Sequence, residues 1–183
     1  MITIIVVIAI IAILVIWFIS VQRQIINREE ICKNSLSQIG VQQSSRWDAL
    51  SALAELVKGY SEHEYKTLTD VIAQRRSITS ASSVSEANQQ ENFLTQAMGR
   101  ISLVAEQYPD LKAQPVFSQA MDSVNMYENQ VRMSRMVFND AVTMYNKLIR
   151  QIPSSIVASM LGFKTKEYLV ENQAKTEMPS MKI

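Results

Sequence analysis

The sequence predicts an all-α protein: an N-terminal transmembrane helix followed by an antiparallel four-helix bundle with long first and fourth helices. Three observations carry this. Ile2 to Ile19 is almost wholly apolar, with Thr3 the only polar residue. Beyond Val21, apolar residues recur in alternating steps of three and four, the spacing of one helix face. Glycine and proline number only 4 each in 183 residues, which suits long helices with few turns.

Residues 1–20 form the expected anchor, marked by Ile2, Trp17, Phe18 and Ile19. About 18–20 apolar residues at ~1.5 Å each cross the ~30 Å hydrocarbon core. Trp17 sits where an interfacial aromatic belongs. A cleaved signal would need a basic start and small residues before a cut site, and neither is present. Basic residues cluster after the span, at Arg23, Arg28 and Lys33. The expected orientation is therefore N-terminus outside and C-terminal domain in the cytoplasm.

The bundle is expected over residues 21–168. Helix one (about 21–60) carries a seam of Ile25, Glu29, Cys32, Leu36, Ile39, Gln43, Arg46, Leu50, Leu53, Val57 and Tyr60. Ser61 reads as the N-cap of a second helix (61–80), with Glu62 and Glu64 in its first turn and Leu68, Val71, Arg75 and Ile78 on one face. The third (86–108) has Leu94, Ala97, Ile101, Val104 and Tyr108 as its stripe, and Pro109 stops it. The fourth (115–151) shows Phe117, Met121, Val124, Glu128, Val131, Arg135, Phe138, Val142, Tyr145 and Ile149. A short helix (154–162) displays Ile156, Val157, Met160 and Leu161. With Phe163, these suit either the membrane interface or the base of the bundle. Residues 169–183 are expected to be a polar, disordered tail.

Gln43, Arg46, Arg75, Glu128 and Arg135 stand on seams where apolar residues would be cheaper to bury. If Tyr60 and Pro115 are level, antiparallel packing sets Arg46 opposite Glu128. The expectation is a buried polar layer, with Arg75 or Arg135 nearby, that sets register rather than adding stability. Met98, Met121 and Met136 read as gap-fillers in the core. Glu29 and Glu30 read as solvated surface.

Catalytic chemistry has little to stand on. Net charge is +1, so bulk electrostatics implies no nucleic-acid partner. His63-Glu64 begins like H-E-x-x-H, but His63 is the single histidine, which excludes that zinc site. The lone Cys32 cannot form an internal disulfide, and it reads as a small residue on a helix face. No phosphate-binding glycine loop is present. No enzymatic activity, cofactor, metal or small-molecule substrate is expected.

Three stretches carry a resemblance. The first is Leu56-Val57-Lys58-Gly59-Tyr60, then His63-Glu64, Ala73 and Arg75. The second is Tyr108-Pro109-Asp110-Leu111-Lys112-Ala113, then Phe117. The third is Phe138-Asn139-Asp140-Ala141-Val142, then Tyr145-Asn146, Ile149-Arg150, Pro153 and Gly162-Phe163. In this order and spacing the chain resembles the LemA family of bacterial membrane-anchored helical proteins, over roughly residues 34–168. The resemblance implies a four-helix bundle behind one anchor in the bacterial inner membrane, no known cofactor, and no catalytic residues to carry over. The family usually has more basic residues and a proline in the stretch matching Gln42 to Leu53. Their absence here puts a basic surface role in doubt and predicts a straighter helix. The expected function is a non-enzymatic scaffold or adaptor. The alternative is a structural homo-oligomer that shapes or patches the membrane. The expected partners are the lipid bilayer and either a second copy or another membrane or envelope protein.

Overall fold

The computed structural model describes residues 1–169, so the tail expected to be disordered lies, from 170 onward, outside the described residues. Among the described residues there are six helices and no strand. They are α1 (Ile2–Lys58), α2 (Glu62–Ile72), α3 (Val84–Gln107), α4 (Pro109–Lys112), α5 (Pro115–Arg150) and α6 (Ser154–Met160).

Helix α1 joins the expected anchor and first bundle helix into one element of 57 residues, about 85 Å long. It holds no proline and one glycine, so nothing in it forces a break. Its first part is the one stretch among the described residues long and apolar enough to cross a membrane, and it is exposed throughout up to Ile16. From Val21 the seam turns inward: Ile25, Cys32, Leu36, Ile39, Gln43, Arg46, Leu50, Leu53 and Val57 are all buried.

Local signals start the shorter helices. Ser61 accepts a hydrogen bond from the Glu64 N–H and caps α2. Ser83 and Glu86 form a reciprocal capping box at α3. The two N-terminal bonds that Glu86 gains from Ser83 hold its carboxyl below the usual range. Pro109 and Pro115 open α4 and α5 at positions where a missing N–H costs nothing.

Helix α5 packs along α1. Gln114 donates to the Tyr60 hydroxyl at 2.7 Å, Arg46 meets Glu128 at 2.9 Å, and Arg28 donates to the Met144 sulfur at 3.4 Å. Residue numbers thus rise along α1 as they fall along α5. Helices α2 and α3 complete a distal core of Trp47, Leu50, Leu53, Leu68, Leu94, Ile101, Leu111 and Phe117, among others. A second, proximal core holds Val21, Ile25, Cys32, Leu36, Ile39, Phe138, Val142, Tyr145 and Ile149.

Helix α2 is shorter than expected. The spacing of Leu68, Val71, Arg75 and Ile78 predicts helix to residue 80, but the chain leaves the helix at Ala73. Ile78 still reaches the proximal core, by a non-helical route. The buried Gln90 replaces the lost helical bonds, donating to the Gln74 carbonyl and accepting from the Arg76 N–H. The loop crosses α1 at Gly40, where a Cβ would overlap the Ile78 carbonyl oxygen.

Three further expectations need correction. Val157 is buried in the proximal core with Ala158, and Phe163 packs against that core, so neither is presented outward. Met136 is exposed rather than a filler, whereas Met98 and Met121 do pack against the distal core. Leu169 is buried and belongs to the packed body, one residue beyond the expected boundary.

Burial raises the pKa of Cys32, and Lys166 only partly offsets this. The thiolate is disfavoured in the folded protein. This contribution to stability is complete below the ordinary thiol value of about 8.5 and declines as pH rises towards the raised folded value. Cys32 is expected to resist a water-soluble thiol reagent at about pH 8 and to react once denaturant is added. Rapid labelling of the native protein would contradict its placement.

Candidate functional site

Between the two apolar cores lies a polar layer. Arg46 projects from α1 with its side chain 2% exposed. One guanidinium nitrogen donates to Glu91 Oε1 of α3 at 2.8 Å, the other to Glu128 Oε2 of α5 at 2.9 Å. Gln43, one turn earlier, donates its amide to the Ala87 carbonyl at 3.2 Å and to Glu91 Oε2 at 3.4 Å. Arg132 stands 4.0 Å from the other Glu128 oxygen, at the solvent edge. Two cations therefore meet two carboxylates, and the layer is close to neutral. Three helices converge on one guanidinium, whose planar fork suits two carboxylates at once. Among the described residues Arg46 Nε, Gln43 Oε1 and the Trp47 indole N–H are buried without a hydrogen-bond partner. Such a layer favours the alignment that pairs its charges and penalises every slip along the seam.

The other polar seam residues divide. Arg135 is half-buried and donates to Asn88 at 3.1 Å, within reach of α3. Arg75 is a correction: it is exposed, outside the layer, and clips the 73–83 loop to Asp48 and Ser44 of α1 at 2.6 Å each. It left the layer because α2 ended before it. Glu91 is the residue that sequence reasoning missed. Continuing the α3 stripe back from Leu94 reaches Ala87 and Gln90, both buried, and places Glu91 at their edge. Glu29 is also misjudged as free surface, since it pairs with Lys166 at 3.1 Å.

A groove opens between α1 and α5 below this layer. Ile31, Asn34, Ser35 and Gln38 form one wall, and Met133, Ser134 and Val137 the other, around about 360 Å³. On α5 the apolar surface extends further. Met126, Met133, Val137 and Met144 are all exposed. Their spacing of seven, four and seven puts them within about 20° of one line along the helix. Neither α2 nor α3 reaches this side. Among the described residues no group of three His, Cys, Asp or Glu could hold a metal ion.

The LemA family profile matches residues 35–183, most of the chain. The chain belongs to the LemA family. It is also similar to the magnetosome proteins MamQ 1 and MamQ 2 of Paramagnetospirillum magneticum, each 33% identical over 78 residues. MamQ of Magnetospirillum gryphiswaldense is 32% identical over 78 residues. These matches span 43% of this chain and only 29% of each relative.

The stretches that carry the LemA resemblance gather at two places. At the distal tip the Tyr60 and Tyr108 rings lie 5.8 Å apart, with Leu111 and Phe117 buried beneath. At the other end, Gly162 takes a left-handed φ of 74° that glycine adopts freely, and the chain turns into an extended strap. Asn146 exchanges two hydrogen bonds with the Lys166 backbone, and Asn139 two with Leu169. Seven helical residues rise ~10.5 Å and three extended ones ~10 Å, so the two amides meet the strap in step. The Tyr145 hydroxyl donates to the Lys164 carbonyl at 3.0 Å. Burial, reinforced by Glu29 and Cys32, pushes its pKa up to about 12, so it stays a donor. In this LemA protein Asn139 and Asn146 fasten the backbone of residues 166–169 to α5.

Proposed function

We propose that this LemA protein is a non-enzymatic, single-pass membrane scaffold that offers its α1–α5 groove to an amphipathic helix of another membrane protein. In this reading Ile2–Ile19 crosses the bacterial inner membrane with the N-terminus outside. Helices α1, α2, α3 and α5 act as a cytoplasmic antiparallel four-helix bundle. The observation that carries it is the open groove, whose α5 wall continues into the exposed line of Met126, Met133, Val137 and Met144. A five-turn apolar line between polar shoulders is the complement of one face of a helix. Methionine side chains adapt to different partners. The polar layer above holds α1 and α5 in one register and so keeps the groove in shape.

One observation favours a second reading, a homo-oligomer. The line from Met126 to Met144 is straight and long enough to pair with the same line on another copy. Anchors in a shared bilayer would hold the copies parallel.

The test is the mass of the intact protein in mild detergent, with a photocrosslinker at Gln38 on the facing wall, before and after Met133→Glu plus Val137→Glu. Both side chains are exposed, so the fold is expected to survive. A second protein at fixed stoichiometry, crosslinked through Gln38 and lost on substitution, supports the scaffold. A particle of this chain alone that dissociates on substitution supports self-assembly. A mass that ignores the substitution overturns both uses of the groove.

A further inference from the structure

Helix α6 lies at the height where the apolar run of α1 ends. Its buried residues, Val157 and Ala158, share the proximal core with Val21 and Ile25, and Trp17 and Phe18 pack against that same core. The opposite side of α6 is apolar and uncovered: Ile152 is 84% exposed, Ile156 56% and Met160 71%, with Leu161 exposed beside them. Ile156 and Met160, four residues apart, stand on one side of α6, away from the core, and Ile152, in the turn that precedes the helix, is exposed as well. Exposed Arg23, Lys147, Arg150 and Lys164 surround this end.

We propose that α6 is a second membrane contact: a foot that sets Ile152, Ile156, Met160 and Leu161 into the interfacial layer of the bilayer that α1 crosses. This rests on the reading of Ile2–Ile19 as the membrane span. Continuity singles out lipid as the occupant. Helix α6 is seated in the core that Trp17 and Phe18 flank, and before them α1 is an exposed apolar surface made for hydrocarbon. An apolar line with basic flanks suits the boundary between acyl chains and headgroups. The foot is firmly held. Ser154 donates to the Leu148 and Gln151 carbonyls, and the strap beyond Gly162 is fastened by Asn146 and Asn139. A single helix could tilt and turn freely in a bilayer. A second contact fixes how the bundle stands on the surface, and therefore where the α1–α5 groove faces.

The test uses the full chain in phospholipid vesicles containing spin-labelled acyl chains. An environment-sensitive fluorophore is placed in turn on Met160→Cys, Ile156→Cys, Ile10→Cys and Lys112→Cys. Native Cys32 is buried and out of reach of the reagent. Labels at Ile10 report the span, and labels at Lys112 report water at the distal tip. The expected result is blue-shifted emission and quenching at Met160 and Ile156, as at Ile10. Labels at both foot positions as wet as Lys112 overturn the proposal. Blue-shifted emission there without quenching by lipid also overturns it, in favour of a protein cover. A wet label at Ile10 overturns the span reading and the foot with it, which separates that failure from a failure of the foot alone.

Discussion

Arg46→Met is expected to destabilise the protein by about 3–5 kcal/mol, the usual penalty for removing one partner of a buried ion pair. The substitution keeps the apolar stem but leaves Glu91 and Glu128 both aimed at the gap where the guanidinium sat. Arg132, 4.0 Å from Glu128 and more than half exposed, neutralises part of this charge and draws the loss towards the lower end. Replacing Glu91 and Glu128 by Leu as well should recover most of the loss, because a well-packed apolar layer matches a buried ion cluster in stability. Arg75→Ala is the contrast. Its pair with Asp48 is exposed, and it should lose less than ~1 kcal/mol. Chemical denaturation of the intact protein in mild detergent, followed by helical circular dichroism, reads all three variants against the parent protein. Equal losses for Arg46 and Arg75 would show that the layer is not the dry junction described.

What could be read from the sequence, and what could not, follows from which forces are local. The long seams of α1 and α5 are legible because a helix repeats its buried face, so Leu36, Val57, Val124 and Tyr145 announce themselves by spacing. The meeting of Arg46 with Glu128 needed only the direction of two helices and one level contact at Tyr60. The end of α2 was not legible, because its apolar spacing runs on to Ile78 while the backbone does not. What takes the chain out of the helix is a set of distant partners: Gln90 for its backbone and Gly40 for its path. Glu91 was missed because its stripe is short and polar at the start. The strap was missed because it is extended, and its partners are two asparagines seven residues apart on another element. Apolar residues near α6 could be noticed, but not sorted. Only the packed structure separates Val157, turned into the core, from Ile156 and Met160, turned out.

Gly40→Ala and Gly99→Ala should have opposite signs, although both replace a glycine inside a helix. In isolation the change favours the helix by about 0.5–1 kcal/mol, because alanine has less backbone freedom to lose. Nothing lies within 4 Å of a Cβ built on Gly99, so that gain should appear in full. At Gly40 the Cβ overlaps the Ile78 carbonyl oxygen and stands 2.7 Å from its carbonyl carbon. A flexible side chain could swing away from such a contact, but a backbone carbonyl moves only with its chain. That chain is pinned on both sides. Gln90 holds Gln74 and Arg76, Arg75 holds Asp48 and Ser44, and the Ile78 side chain is buried in the proximal core. Relief means lifting the 73–83 loop off α1, which draws Ile78 from its pocket. The net effect should be a loss of about 1–3 kcal/mol, the range for overpacking a filled core. The loop should also become the first site of cleavage in limited proteolysis, since the contact that seats it is the one removed. If Gly40→Ala proves as stable as Gly99→Ala, the loop has a second seat on α1 and the close approach at Ile78 does not hold it. If the signs differ, the crossing at Gly40 is what lets a loop, in place of a longer α2, close the proximal core beside α1.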